Sequence, residues 1–386
     1  MTVKTAERMQ LIQPFHVMAL LARARELEAA GRSIVHMEIG EPDFVTPQPL
    51  IDAGIRALQD GHTHYTPATG LWALREKIAG FYQTRYGLTI EPERVVVTPG
   101  ASAALQLVLA VLVDSGDQVM LADPGYPCNR NFVHWLNGEP LAVPVDAASG
   151  YQPLPQRVSE YWTERTRALL VASPSNPTGT LLDEHTLREY HAVTGKNGGS
   201  LIVDEIYHGL TYDGPAQSAL AVADDIFVIN SFSKYFGMTG WRLGWLIAPG
   251  EVVPDIDKLA QNLFLAAPTV SQYAALGAFD DEVIAILESR RDEFRQRRDY
   301  LLPALRDIGF DVSVTPAGAF YLYAGCSRFT GDSYSFAAQL LEETGVAITP
   351  GIDFGRNQPE SHVRFAYTTS LENLQEGVRR LAEKLA

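Results

Sequence analysis

At 386 residues the chain is too long for one ordinary domain and long enough to bury a sizeable core, and its 46% hydrophobic and 20% charged residues exclude a disordered polymer. A formal net charge of -15, with no basic run to offset it, repels phosphate backbones and anionic lipid surfaces, so neither nucleic acid nor a membrane is an expected partner. The two cysteines, Cys128 and Cys326, lie far apart without CxxC or Cys/His ligand spacing; no disulfide framework and no metal site is expected, and reduced thiols fit a cytoplasmic protein.

Taken in chain order, "VMALLARARELEAA" (17–30) before Gly31 has the spacing of an amphipathic helix with a glycine stop, and its arginines interrupt the apolar run before it reaches the length of a signal core. From about residue 46 short apolar strands alternate with helices: "RVVVTPG", "DQVMLADPG", "RALLVASPSNP", "SLIVDEIY", "DIFVINSFSK" and "RLGWLIAPG". Apolar runs of this length, closed by Gly, Pro or Asp and followed by a helical period, are strands covered on both faces by helices, which predicts an α/β sheet. The longest apolar run, "AALQLVLAVLV" (103–113), is well short of the ~20 residues that span a bilayer.

Near residue 280 the character changes. A long charged helix, "ESRRDEFRQRRDYLLPALRDIG", is followed by "GAFYLYAG", a helix around 333–344, the strand "VRFAY" and a terminal helix, which predicts a smaller α+β domain. The expected division is residues 1–45 as an N-terminal arm and part of the small domain, 46–280 as the large domain and 281–386 as the small C-terminal domain.

Ligands of α/β sheets sit beyond the carboxyl ends of the strands, and the polar residues of interest cluster there. No GxGxxG follows a strand and no GxxxxGK[ST] occurs, so dinucleotide and P-loop binding lack support. Gly100, Ala101 and Ser102 open a helix directly after "VVVTP", where free backbone N–H groups and the helix dipole suit one phosphate. Any strand-to-helix turn can look like this, and the neighbouring chemistry decides.

The chain has six lysines, five of them in polar contexts. Lys234 instead follows an apolar strand between Ser233 and Tyr235, where a lowered pKa would supply the neutral amine that forms a Schiff base with an aldehyde. A lone lysine at a strand end is usually a snorkelling side chain. Here "LIVDEIYHG" ends another strand with Asp204 and Tyr207, an acidic partner of the kind that a pyridine nitrogen needs, and Arg242 stands eight residues beyond Lys234 as a clamp for phosphate.

The ordered set "GEPDF" (40–44), "HYTPATG" (64–70), "TPGAS" (98–102), "DPGYP" (123–127), "SNPTG" (175–179), "DEIY" (204–207), "SFSKYFGMTGWRLG" (231–244) and Arg364 in "VRFAY" resembles the class I/II pyridoxal-phosphate-dependent aminotransferases of fold type I, over most of the chain. The resemblance implies an α/β fold: a large domain with a mostly parallel sheet sandwiched by helices, plus the smaller α+β domain.

It implies roles as well. Lys234 would hold the cofactor and move the substrate's proton, Asp204 would bind the ring nitrogen, and Asn176 and Tyr207 would donate to the phenolic oxygen. Tyr126 would stack on the ring, while Gly100, Ala101, Ser102, Ser231, Ser233 and Arg242 would hold the phosphate. Arg364, with Gly40 and Asn176, would take the substrate's α-carboxylate, and Phe15 would cover the pocket. Tyr65 would reach the phosphate of a neighbouring subunit, which makes a homodimer with shared active sites the working unit. The Asn176–Pro177 bond is expected to be cis.

The expected activity is transfer of an amino group from an amino acid to a 2-oxo acid such as 2-oxoglutarate by a ping-pong mechanism. Carbon–sulfur lyases and decarboxylases of the same fold would keep Lys234, Asp204 and Arg364, so sequence separates them poorly from transaminases. A serine hydrolase would need glycine where Ala104 stands, and a non-catalytic sensory module lacks its DNA-binding region here.

Overall fold

The structure is a computed structural model that describes residues 3–385. Twelve strands occur among them: β1 (Val35–His36), β2 (Val95–Thr98), β3 (Gln118–Asp123), β4 (Glu139–Pro144), β5 (Thr166–Ala172), β6 (Ser200–Asp204), β7 (Phe227–Ser231), β8 (Gly244–Ile247), β9 (Tyr321–Gly325), β10 (Val346–Ala347), β11 (Thr349–Pro350) and β12 (His362–Ala366).

Seven of them form the large sheet, in the order β2-β8-β7-β6-β5-β3-β4, and only β8 runs against its neighbours. Side chains alternate between two cores. Val95, Val97, Leu201, Val203, Trp245 and Ile247 enter one hydrophobic cluster, while Val96, Ile202 and Leu246 enter the other. That two-sided burial is why these strands read as continuous apolar runs.

Sequence reading missed β4. Its residues, "EPLAVP", are mostly exposed or half-buried and include Pro140 and Pro144, which cannot donate to a ladder and suit an edge strand.

The later chain builds a three-stranded antiparallel sheet, β11-β12-β9, and the N-terminal β1 pairs with β10 through Val35 and Val346. The long charged segment is one helix, Asp281–Ile308, which packs against the terminal helix Leu371–Leu385. The helix His16–Ala29 starts one residue earlier than its sequence signal. Asp353 accepts the N–H groups of His16 (2.8 Å) and Val17 (2.9 Å), which fixes Phe15 at the junction between the helix and the three-stranded sheet. No described helix is long and apolar enough to cross a membrane.

Candidate active site

The carboxyl ends of β6 and β7 bring Asp204 and Lys234 to one cavity of about 260 Å³. Phe15, Gly40, Ala101, Ser102, Tyr126, Asn176, Tyr207 and Arg364 line the same space, so residues spread over most of the chain converge there. A larger cleft of about 730 Å³ on the other side of Tyr126 and Asn176 contains neither Lys234 nor Asp204 nor Arg364.

Lys234 Nζ donates to the Gly40 carbonyl at 2.7 Å and forms no ion pair among the described residues. Burial lowers its pKa to about 8; the carboxylate of Glu41 opposes that shift, while Arg364 and Arg242 add to it. The neutral amine is thus accessible near physiological pH. Burial raises Asp204 to about 6, against a hydrogen bond that its Oδ1 accepts from the Ile206 N–H at 3.0 Å and the nearby charge of Lys234. A cationic ring nitrogen beside it would favour the carboxylate form further.

Arg364 is gripped by protein. Its Nη1 donates to Asn176 Oδ1 (3.0 Å), and its Nη2 to the Glu38 carbonyl (2.7 Å) and Thr349 Oγ1 (3.2 Å), while its guanidinium lies over the Tyr321 ring, 4.2 Å from the centroid. Its buried Nε has no hydrogen-bond partner among the described residues. The sheet register explains the arrangement: Arg364 on β12 stands opposite Thr349 on β11 and Tyr323 on β9, with Tyr321 its diagonal neighbour. With its oxygen engaged by Arg364, Asn176 has its amide nitrogen left to donate, and the Asn176–Pro177 bond is cis. Tyr207 meets the hydroxyl of Tyr321 at 2.8 Å.

Gly100, Ser231, Ser233 and Arg242 are not among the residues that line this cavity. Gly100 has φ +78°, and a Cβ there would stand 2.6 Å from Arg242 Nη2, so glycine alone lets the arginine close against the start of the helix Ala101–Leu112. Ser231 Oγ donates to the Leu243 carbonyl (3.1 Å) and lies 3.0 Å from Ser233 Oγ, while Arg242 donates to the Thr239 carbonyl (3.0 Å). Tyr65 is not brought to the cavity; its side chain is 82% exposed.

Sequence reading also missed Tyr321, Thr349 and Phe354, which line the cavity beside Arg364. The alternation of Tyr321 and Tyr323 in "FYLYAG" marks two aromatic positions on one strand face, but nothing local shows which cavity that face meets.

These residues fit pyridoxal phosphate. A desolvated amine without a carboxylate partner, a buried carboxylate across the cavity, and a glycine-lined helix start closed by an arginine match its aldehyde, ring nitrogen and phosphate in turn.

The sequence model described as "Aminotransferase class I and II" matches residues 32–381. The chain is 39% identical to the (5-formylfuran-3-yl)methyl phosphate transaminase of Methanocaldococcus jannaschii, covering 98% of this chain and 99% of that one. It is 38% identical to the valine–pyruvate aminotransferase of Mycobacterium tuberculosis, covering 97% of each. Among solved structures, the aspartate aminotransferase of Thermus thermophilus with maleate superposes with a TM-score of 0.93 at 35% identity, covering 99% of this chain and 100% of that one. The chain belongs to the class I and II aminotransferases and is a pyridoxal-phosphate-dependent transaminase of fold type I.

Proposed function

We propose that the protein carries the α-amino group of an amino acid, by preference one with a neutral side chain, to a 2-oxo acid such as 2-oxoglutarate, the first product leaving before the second substrate enters. The observation that carries this reading is the convergence of Lys234, Asp204 and Arg364 on one cavity, the lysine without a carboxylate partner. Bound pyridoxal phosphate supplies an aldehyde for the amino group and a ring that withdraws electrons from the α-carbon.

The chain's own residues do the rest. Arg364 and Gly40 hold the α-carboxylate, with Asn176 beside them. Lys234, as the neutral amine, would take the proton from the substrate Cα and deliver it to the cofactor's aldehyde-derived carbon, and would run the same transfer in reverse for the second substrate. Asp204 would serve the ring nitrogen as a carboxylate, Asn176 and Tyr207 would donate to the phenolic oxygen, and Tyr126 would cover the ring. Gly100, Ala101, Ser102, Ser231, Ser233 and Arg242 would hold the phosphate. Phe15, at the head of the helix His16–Ala29, excludes water from the outer end.

The exposed Tyr65 suits a homodimer in which each subunit completes its partner's phosphate site. We further propose a large unit of residues 46–280, a small unit of 281–386 joined by the arm 1–45, and a cytoplasmic location. The relatives' names cover valine, aspartate and a phosphorylated aldehyde, so they support the reaction type more than one substrate.

Single-turnover absorbance spectra with a panel of amino acids test the reading. The expected result is loss of the visible cofactor band with one 2-oxo acid released per site. Release of ammonia in place of that stoichiometric oxo acid would overturn it.

A further inference from the structure

The turn that carries Asp204 and Tyr207 is held from behind by polar groups that the reaction does not touch. The Glu205 N–H donates to the Ile229 carbonyl (2.8 Å), the His208 N–H to the Glu205 carbonyl (2.8 Å) and the Leu210 N–H to the Tyr207 carbonyl (2.9 Å). Asp204 lines the cavity and Glu205, the next residue, does not, as expected where successive side chains leave a strand on opposite sides.

Glu205 is fully buried, and His208 is nearly so. Glu205 Oε1 accepts the Ala219 N–H at 2.6 Å and the Ser218 hydroxyl at 3.1 Å, and Oε2 lies 3.4 Å from His208 Nδ1. The same His208 nitrogen is 2.9 Å from the Tyr86 hydroxyl. An acid and an imidazole buried this deeply are costly to keep unless they are needed. Burial drives Glu205 up to about 8 and His208 down to about 3, so both are neutral near pH 7 and the negative charge of the "DEIYH" run rests on Asp204.

We propose that Glu205 and His208 are positioning residues of the active site: they tie the turn after β6 to Ser218, Ala219 and Tyr86 and so fix Asp204 and Tyr207 relative to Lys234. The coupling is short, because the Ile206 N–H that orients the Asp204 carboxylate belongs to the same turn. The proposal rests on the assignment of Asp204 to the cofactor's ring nitrogen.

Four variants test it, each read by the dissociation constant for pyridoxal phosphate, the pH midpoint of the bound cofactor's visible absorbance, and the melting temperature. Glu205→Gln keeps an acceptor for Ala219 and Ser218 and should leave the first two within about threefold and about 0.3 pH unit of wild type, whereas Glu205→Ala should weaken cofactor binding by about tenfold and move the midpoint. Should the alanine variant fail to fold, the double variant Ser218→Ala/Tyr86→Phe removes one hydroxyl from each end and should weaken binding by about threefold or more.

A glutamine variant as impaired as the alanine one overturns the proposal. So does a lower melting temperature with cofactor affinity and midpoint at wild-type values. Asp204→Asn separates the two levels: an unshifted midpoint there overturns the cofactor-site reading and this proposal with it, while a shift there and none in Glu205→Ala overturns the proposal alone.

Discussion

Arg364 donates through Nη1 to Asn176 Oδ1 at 3.0 Å, joining residues 188 positions apart. Its second terminal nitrogen is shared between Glu38 and Thr349, so the guanidinium plane is fixed before any substrate arrives. A lysine cannot reproduce this fork. Arg364→Lys should lower kcat/KM for amino acids by about 100-fold, or about 3 kcal/mol, while leaving the bound cofactor's spectrum unchanged. Steady-state kinetics with a visible spectrum check both halves, and a loss under about fivefold would mean that Arg364 does not carry the α-carboxylate.

The Lys234 amine gains its nucleophilic form as pH rises through about 8, below its ordinary value of 10.5. Uptake of pyridoxal phosphate by the cofactor-free protein needs that neutral form. Its rate should therefore climb through about pH 8 and level off above it, and Lys234→Ala should retain no borohydride-fixable cofactor. Stopped-flow absorbance measures the rate, and a midpoint near 10 would show that the cavity does not desolvate the amine.

Much of this site was legible because its chemistry sits in short local motifs at strand ends. Lys234 stood out as the one lysine in an apolar run, and Asp204 and Tyr207 fell at the end of a readable strand. Tyr321 and Thr349 were not legible, since they meet Arg364 only through the pairing of β9, β11 and β12, and Phe354 was not, since it reaches Arg364 from the turn after β11; no local pattern encodes either. The edge strand β4 was hidden by its prolines and its exposure. Glu205 and His208 stand in the same "LIVDEIYHG" stretch, but no local pattern there shows that their side chains are buried behind the turn.

Gly40 stands where a Cβ would fall on the Tyr321 hydroxyl, the group bonded to Tyr207. Gly40→Ala should therefore displace Tyr321 and lower kcat/KM by about tenfold or more. Tyr321→Phe removes the clashing oxygen, so the double variant should recover part of that loss, with a coupling energy of about 1 kcal/mol or more. Strict additivity in a double-mutant cycle would refute the contact.

His36 is raised to about 9 chiefly by its hydrogen bond to the buried Glu38, whose carbonyl accepts from Arg364. With the folded value above the unfolded one of about 6.5, the pair's contribution to stability is complete below about pH 6.5 and is lost as pH rises through about 9. Thermal melts across that window should show a decline in wild type that is flattened in His36→Gln. Parallel declines in the two proteins would rule the pair out as the cause.

Specificity follows from what lines the outer cavity. Phe15, Val17, Met18, Ile39 and Leu105 are apolar, and among the described residues Lys234 and Arg364 are the cationic side chains that reach the cavity. The nearby His16 imidazole is engaged by Asp353 at 2.9 Å, and Ser102, in the phosphate turn, carries no charge. A dicarboxylate's second carboxylate would forgo a charge-assisted bond of about 1.5–3 kcal/mol in such a pocket, whereas an apolar side chain gains from burial there. Alanine, methionine and phenylalanine should accordingly be handled at least as well as aspartate, with 2-oxoglutarate tolerated as the shared acceptor although its distal carboxylate forgoes the same bond. Comparison of kcat/KM across these donors decides the matter: a preference for aspartate above about 100-fold, nearly 3 kcal/mol, would require a cation contributed by a second subunit.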